Sequence, residues 1–118
     1  MVKIGLVGTG ILGEAVGLHL LESGYSLTVY NRTVSKTESL KEKGATVADQ
    51  PKHVAESSNL VIICVKDADA VNQVLFGQDG LVAGKQAGMT VADMSTINPS
   101  SAKEFSKKLH NEGIKSLE

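Results

Sequence analysis

Three short stretches of this chain combine residue types and spacings that could do chemistry. The first is Gly8-Thr9-Gly10-Ile11-Leu12-Gly13, preceded by the largely apolar run Val2-Lys3-Ile4-Gly5-Leu6-Val7. The run suits a buried strand, breaks at Gly8 and resumes at Ile11 with helical spacing. That places Gly8-x-Gly10-x-x-Gly13 on a strand-to-helix turn, where the motif has a mechanism. Gly8 permits the tight turn, Gly10 lets the backbone come close to a pyrophosphate, and Gly13 lets the helix pack against the strand. The amides and the dipole at the start of that helix favour an anion.

The second stretch, Asn31-Arg32-Thr33, closes the β-branched and aromatic run Tyr25-Ser26-Leu27-Thr28-Val29-Tyr30. A dinucleotide fold that takes NAD usually carries Asp or Glu at this strand end, bonded to the adenosine ribose. Asn31 lacks the charge that would repel a 2′-phosphate. Arg32 can grip such a phosphate through two N–H groups and stack on adenine. Thr33 and Ser35 add hydroxyls and Lys36 adds a cation, although Ser35 suits a helix cap better. NADP(H) is therefore expected ahead of NAD(H). The third stretch, Asp93-Met94-Ser95-Thr96-Ile97-Asn98-Pro99, leaves a strand and enters a helix through an Asn-Pro start.

Alternating strands and helices must position these stretches. The first helix runs to about Ser23, with an apolar face drawn from Ile11, Leu12, Ala15, Val16, Leu18 and Leu20, and Gly24 as its stop. Gly17 inside it points to a close helix–sheet approach. Ser35-x-x-Glu38 predicts a capping box for a second helix that closes at Gly44. Ala45-Thr46-Val47 is a short strand, and Pro51 opens a brief helix. Leu60-Val61-Ile62-Ile63-Cys64-Val65 is a central parallel strand with Cys64 as a buried filler. Asp67 or Asp69 caps the next helix, which carries Val71, Val74 and Leu75. After the strand Thr90-Val91-Ala92-Asp93-Met94, a helix shows Ala102, Phe105 and Leu109 on its apolar side. Ile114-Lys115-Ser116-Leu117 begins a last strand. The expectation is an α/β Rossmann fold: a doubly wound, mostly parallel sheet ordered 3-2-1-4-5-6, helices on both faces, three layers αβα.

The 118 residues suffice for one domain, taken as residues 1–118. Hydrophobic residues make up 42% and charged residues 21%, and 12 basic against 13 acidic residues leave a net charge of −1. No like-charge block favours nucleic acid or a membrane surface. No apolar run reaches the ~20 residues of a membrane span. Four glycines near the start argue against a signal peptide, so a cytoplasmic location is expected. One cysteine cannot form an internal disulfide, no metal cluster is evident, and His19 suits a packed or surface role.

Taken together, Gly8-Thr9-Gly10-Ile11-Leu12-Gly13, Asn31-Arg32-Thr33, Val71-x-x-Val74-Leu75-Phe76-Gly77 and Asp93-Met94-Ser95-Thr96-Ile97-x-Pro99 resemble the β-hydroxyacid dehydrogenases. That family includes 3-hydroxyisobutyrate dehydrogenase, 6-phosphogluconate dehydrogenase and the NADPH-dependent glyoxylate/succinic semialdehyde reductases. The resemblance implies an N-terminal cofactor domain of an NADP-dependent oxidoreductase. Such an enzyme moves a hydride between nicotinamide and a small, carboxylate-bearing β-hydroxyacid or semialdehyde. It implies cofactor contacts at Gly8, Thr9, Gly10, Ile11, Leu12, Gly13, Asn31, Arg32, Thr33, Lys36, Val65, Lys66, Ala70 and Thr96. Ser95, with Thr96, would meet the substrate. Thr9, Leu12 and Lys66 depart from the residues most common in the family.

The family's catalytic lysine lies in a helical second domain, which also makes the homo-oligomer, and this chain shows no match to that lysine motif. The chain is therefore expected to be a fragment, inactive alone, with no catalytic residue of its own. Two other classes stay open: a non-catalytic NADP-binding or scaffold module, and an S-adenosylmethionine-dependent methyltransferase. The methyltransferase would usually end its second strand on an acidic residue instead of Asn31-Arg32. Imine reduction shares the cofactor domain and differs in residues beyond this chain.

Overall fold

A computed structural model describes residues 2–117. The strands are Lys3–Val7 (β1), Ser26–Tyr30 (β2), Thr46–Val47 (β3), Leu60–Ile63 (β4), Thr90–Asp93 (β5) and Lys115–Leu117 (β6). All described pairings are parallel, in the order β3-β2-β1-β4-β5-β6. The register brings strand ends together. Val7 lies opposite both Tyr30 and Ile63, and Ile63 opposite Asp93, so four strands end on one edge.

The helices are Ile11–Glu22 (α1), Glu38–Glu42 (α2), Pro51–Glu56 (α3), Ala68–Phe76 (α4) and Pro99–Asn111 (α5). Side-chain alternation divides the apolar residues of the sheet between two faces. Ile4, Leu6, Leu27, Val29 and Ile62 pack with Leu40 of α2 on one face. Val7, Val61, Ile63 and Val91 pack on the other with Val54, Val71, Leu75, Phe105 and Leu109. The continuous apolar run of β4 is thus explained, because a central strand in a three-layer domain has no wet face. The expected Rossmann architecture and strand order both hold.

Four local expectations are corrected. The apolar face assigned to α1 does not include its first residues, since Ile11 is 94% exposed and Leu12 52%. The buried residues of α1 are Gly13 and Gly17. A Cβ on Gly17 would stand 2.9 Å from Leu40 and 3.1 Å from Leu6, so the helix approaches the sheet along its glycines. The capping box is absent: residues 34–37 form a 3-10 turn, α2 begins at Glu38, and no side chain caps either. The reason is that the chain must first return toward the glycine turn, where it is bonded. Ser58, unlike Cys64, is enclosed at 2% exposure, and its Oγ has no hydrogen-bond partner among the described residues. Cys64 is half-buried and follows β4, which stops at Ile63 because the sheet neighbours end there.

Of the two candidate caps for α4, Asp67 serves: its carboxylate accepts the Ala70 N–H at 2.9 Å. Asn98 caps α5 through Ser101 at 2.8 Å, with Pro99 in the first turn, as its sequence implied.

Candidate cofactor site

At the carboxyl edge of the sheet the loops after β1, β2 and β4 enclose a cleft of about 1000 Å³. Open α/β sheets place ligands here, where the strand order reverses between β1 and β4. The glycine turn forms its floor. Gly8 sits at φ +98°, and a Cβ there would lie 2.0 Å from the Cys64 carbonyl oxygen. A Cβ on Gly13 would lie equally close, 2.0 Å, to the Gly8 carbonyl oxygen. These two glycines let turn, helix and β4 exit come into contact. Gly10 differs, because among the described residues no atom beyond its chain neighbours stands within 4 Å of the place its Cβ would take. Gly10 is the N-cap of α1, whose first amides have no intrahelical acceptors and, among the described residues, no side-chain cap. An anionic group fits the donors presented there.

The β2 exit forms a second wall. Asn31, Arg32, Thr33 and Lys36 all line the cleft. Asn31 makes one scaffolding bond through each of its polar atoms. Its Oδ1 accepts the Thr9 N–H at 2.8 Å, and its Nδ2 donates to the Thr33 carbonyl at 3.0 Å. Arg32 and Lys36 are exposed and form no ion pair among the described residues, so both cations are available to a phosphate. The opposite wall holds Val65, Lys66, Asp67, Ala70 and Gln73. Its acidic residues are partly committed, with Asp67 capping α4 and Asp79 paired to Lys52 at 3.2 Å.

The residues singled out in the sequence thus fall into three groups. Gly8, Gly10, Asn31, Arg32, Thr33, Lys36, Val65, Lys66 and Ala70 share one cleft. Thr9 and Gly13 are buried beneath it, while Ile11 and Leu12 project from the start of α1 outside its lining. Ser95 reaches the margin, accepting the Val65 N–H at 2.9 Å, and Thr96 is exposed beyond it. Cys64, Gln73, Gln78 and Asp79 also line the cleft and were missed, because no motif marks them. Only the return of the chain after β4 and α4 brings them in. Burial pushes the Cys64 thiol above its ordinary value of 9.0, and the Asp93 carboxylate adds to the rise. The thiol is therefore held protonated and is a poor nucleophile. Among the described residues no cluster of His, Cys, Asp or Glu could hold a metal ion, and no helix is long and apolar enough to cross a membrane.

Residues 3–118 match a family described as the NAD binding domain of 6-phosphogluconate dehydrogenase. An uncharacterized oxidoreductase, YfjR, of Bacillus subtilis is 44% identical over 91% of this chain and 36% of its own length. A probable 3-hydroxyisobutyrate dehydrogenase-like protein 1, mitochondrial, of Arabidopsis thaliana is 42% identical over 89% of this chain and 32% of its own. Among solved structures, an imine reductase from Myxococcus stipitatus in complex with NADP+ superposes with a TM-score of 0.88. It is 30% identical, covering 97% of this chain and 39% of that one. The chain spans about a third of the length of the curated relatives it matches.

Proposed function

The chain belongs to the family of the NAD binding domain of 6-phosphogluconate dehydrogenase, and from that premise we propose that it holds NADP(H) in an oxidoreductase acting on a small β-hydroxyacid or semialdehyde. The family itself establishes a nicotinamide dinucleotide domain. The observation that carries the finer reading is one cleft with uncapped α1 amides on its floor and, on its β2 wall, Arg32 and Lys36, two cations with no ion-pair partner among the described residues. A 2′-phosphate on the adenosine ribose is the group that such a wall suits.

Bound there, the cofactor would supply or accept a hydride at its nicotinamide ring. The residues of this chain do the holding. Gly10 and the first turn of α1 receive the pyrophosphate, Arg32 and Lys36 the 2′-phosphate, and Val65, Lys66 and Ala70 flank the cofactor from the opposite wall. Ser95 orients a substrate carboxylate with its hydroxyl, and Thr96 stands toward the nicotinamide. The proton for the alkoxide comes from a lysine outside this chain, by resemblance to the family, so the chain alone is expected not to turn over. A cytoplasmic location and assembly into a homo-oligomer through the remainder of the protein belong to the same proposal. Likeness to the NADP+-bound imine reductase favours a second reading, reduction of an imine on the same domain.

Calorimetric titration with NADPH, NADH and S-adenosylmethionine tests the reading. Tighter binding of NADPH than NADH supports it. Tighter NADH overturns the cofactor choice, and preference for S-adenosylmethionine overturns the oxidoreductase.

A further inference from the structure

Thr9 is a polar residue of the glycine turn, yet it is only 3% exposed. Both of its donors are taken up by the protein. The hydroxyl donates to the Lys36 carbonyl at 2.8 Å, across 27 residues of chain. The backbone N–H donates to Asn31 Oδ1 at 2.8 Å, across 22. Two further bonds close the segment between them, because Asn31 Nδ2 and the Lys36 N–H both donate to the Thr33 carbonyl at 3.0 Å. One residue of the turn therefore holds both ends of the loop 31–36, and that loop bears Arg32 and Lys36.

Long cationic side chains have many rotamers, so the position of their backbone decides how much order a bound phosphate must impose. The Lys36 carbonyl is fixed by a buried hydroxyl, whereas its side chain is exposed on the cleft side. We propose that Thr9 is a positioning residue for 2′-phosphate recognition: it locks the loop 31–36 to the glycine turn. The distance between the pyrophosphate amides and the two cations is then set before the ligand arrives. This inference rests on the NADP(H) reading above. NADPH and NADH differ only by the phosphate, so a residue acting through the loop changes their ratio. A residue that merely stabilises the turn changes both together.

The experiment compares Thr9→Val, which removes the hydroxyl at nearly constant volume, with Thr9→Ser, which keeps it. Dissociation constants for NADPH and NADH are measured beside the melting temperature of the free chain. Thr9→Val should weaken NADPH about fivefold or more, as expected for one lost hydrogen bond, with NADH changed less than about twofold. Thr9→Ser should restore the wild-type ratio. Thr9→Ala removes the same hydroxyl without adding a methyl beside the Lys36 carbonyl, and takes the place of Thr9→Val if that variant fails to fold. In a Lys36→Ala background the loss caused by Thr9→Val should shrink, since one of the positioned cations is gone. Equal weakening of both cofactors, no weakening of either, or a full additive loss in the Lys36→Ala background overturns the proposal while leaving the cofactor reading intact. A wild-type chain with no preference for NADPH overturns both.

Discussion

The hydroxyl oxygen of Ser95 accepts the backbone N–H of Val65 at 2.9 Å and so ties the exit of β5 to the exit of β4. The Ser95 N–H is in turn held by Asp93 Oδ1 at 2.8 Å. Because its oxygen is the acceptor toward Val65, the hydroxyl keeps its own proton for a further partner at the cleft margin. Ser95→Ala should leave the partly buried Val65 amide without that acceptor. The expected cost is about 1 kcal/mol of stability and faster hydrogen exchange at the Val65 amide. Exchange at Val65 that is unchanged in the variant would show that the bond carries no weight.

Arg32 is exposed at the end of β2 and lines the cleft without an ion-pair partner among the described residues. Its substitution has little folding cost to confuse the result. Arg32→Ala should lose about 1.5–3 kcal/mol of NADPH affinity, the range for hydrogen bonds to charged groups. NADH should bind nearly as before, and equal weakening of the two cofactors contradicts the assignment.

Gly13 presents the opposite case. A Cβ there would meet the Gly8 carbonyl oxygen at 2.0 Å, and backbone cannot yield as a side chain does. Gly13→Ala must push α1 off the turn, at a cost of about 1–3 kcal/mol or more. Thermal melting should show the loss. Because the α1 amides move with the helix, NADPH and NADH should weaken alike. A loss confined to NADPH would mean that the turn had stayed in place.

Cys64 makes stability depend on alkaline pH. Its thiol is raised above 9.0, chiefly by burial and then by Asp93. Above that value the unfolded chain ionises while the folded chain keeps its proton, so stability falls as pH rises from 9.0 toward the folded value. The fall should be shallower in Cys64→Ala, compared by denaturant titration across that window. Iodoacetamide should also alkylate the folded thiol more slowly than a free one at about pH 8, because the thiolate is the reactive form. Cofactor in the cleft should slow it further. Alkylation as fast as that of a small free thiol would contradict the burial.

Local signals carried much of this architecture. Apolar runs, glycine stops and the Asn98-Pro99 start are each written in consecutive residues, so element types and order could be read from them. Strand order followed from the strand–helix alternation, and the glycine turn with Asn31-Arg32-Thr33 marked the floor and one wall of the cleft. The position of Cys64 and the start of α2 were not legible in this way. They depend on where neighbouring strands end and on a bond that returns from the loop to Thr9.

The same division separates sequence from tertiary structure at the glycine turn. Neighbouring residues alone require that a strand, a glycine turn and a helix meet there, because backbone freedom and periodicity are local properties. That α1 buries Gly13 and Gly17 while exposing Ile11 and Leu12 comes from packing between distant segments. An apolar pattern names a face but not how deeply a helix can sit, and missing side chains set that depth. The fold likewise turned Thr9 inward and committed both polar atoms of Asn31 to scaffolding. The two bonds of Thr9 link positions more than twenty residues apart, and they form because parallel register brings Val7 and Tyr30 to one edge.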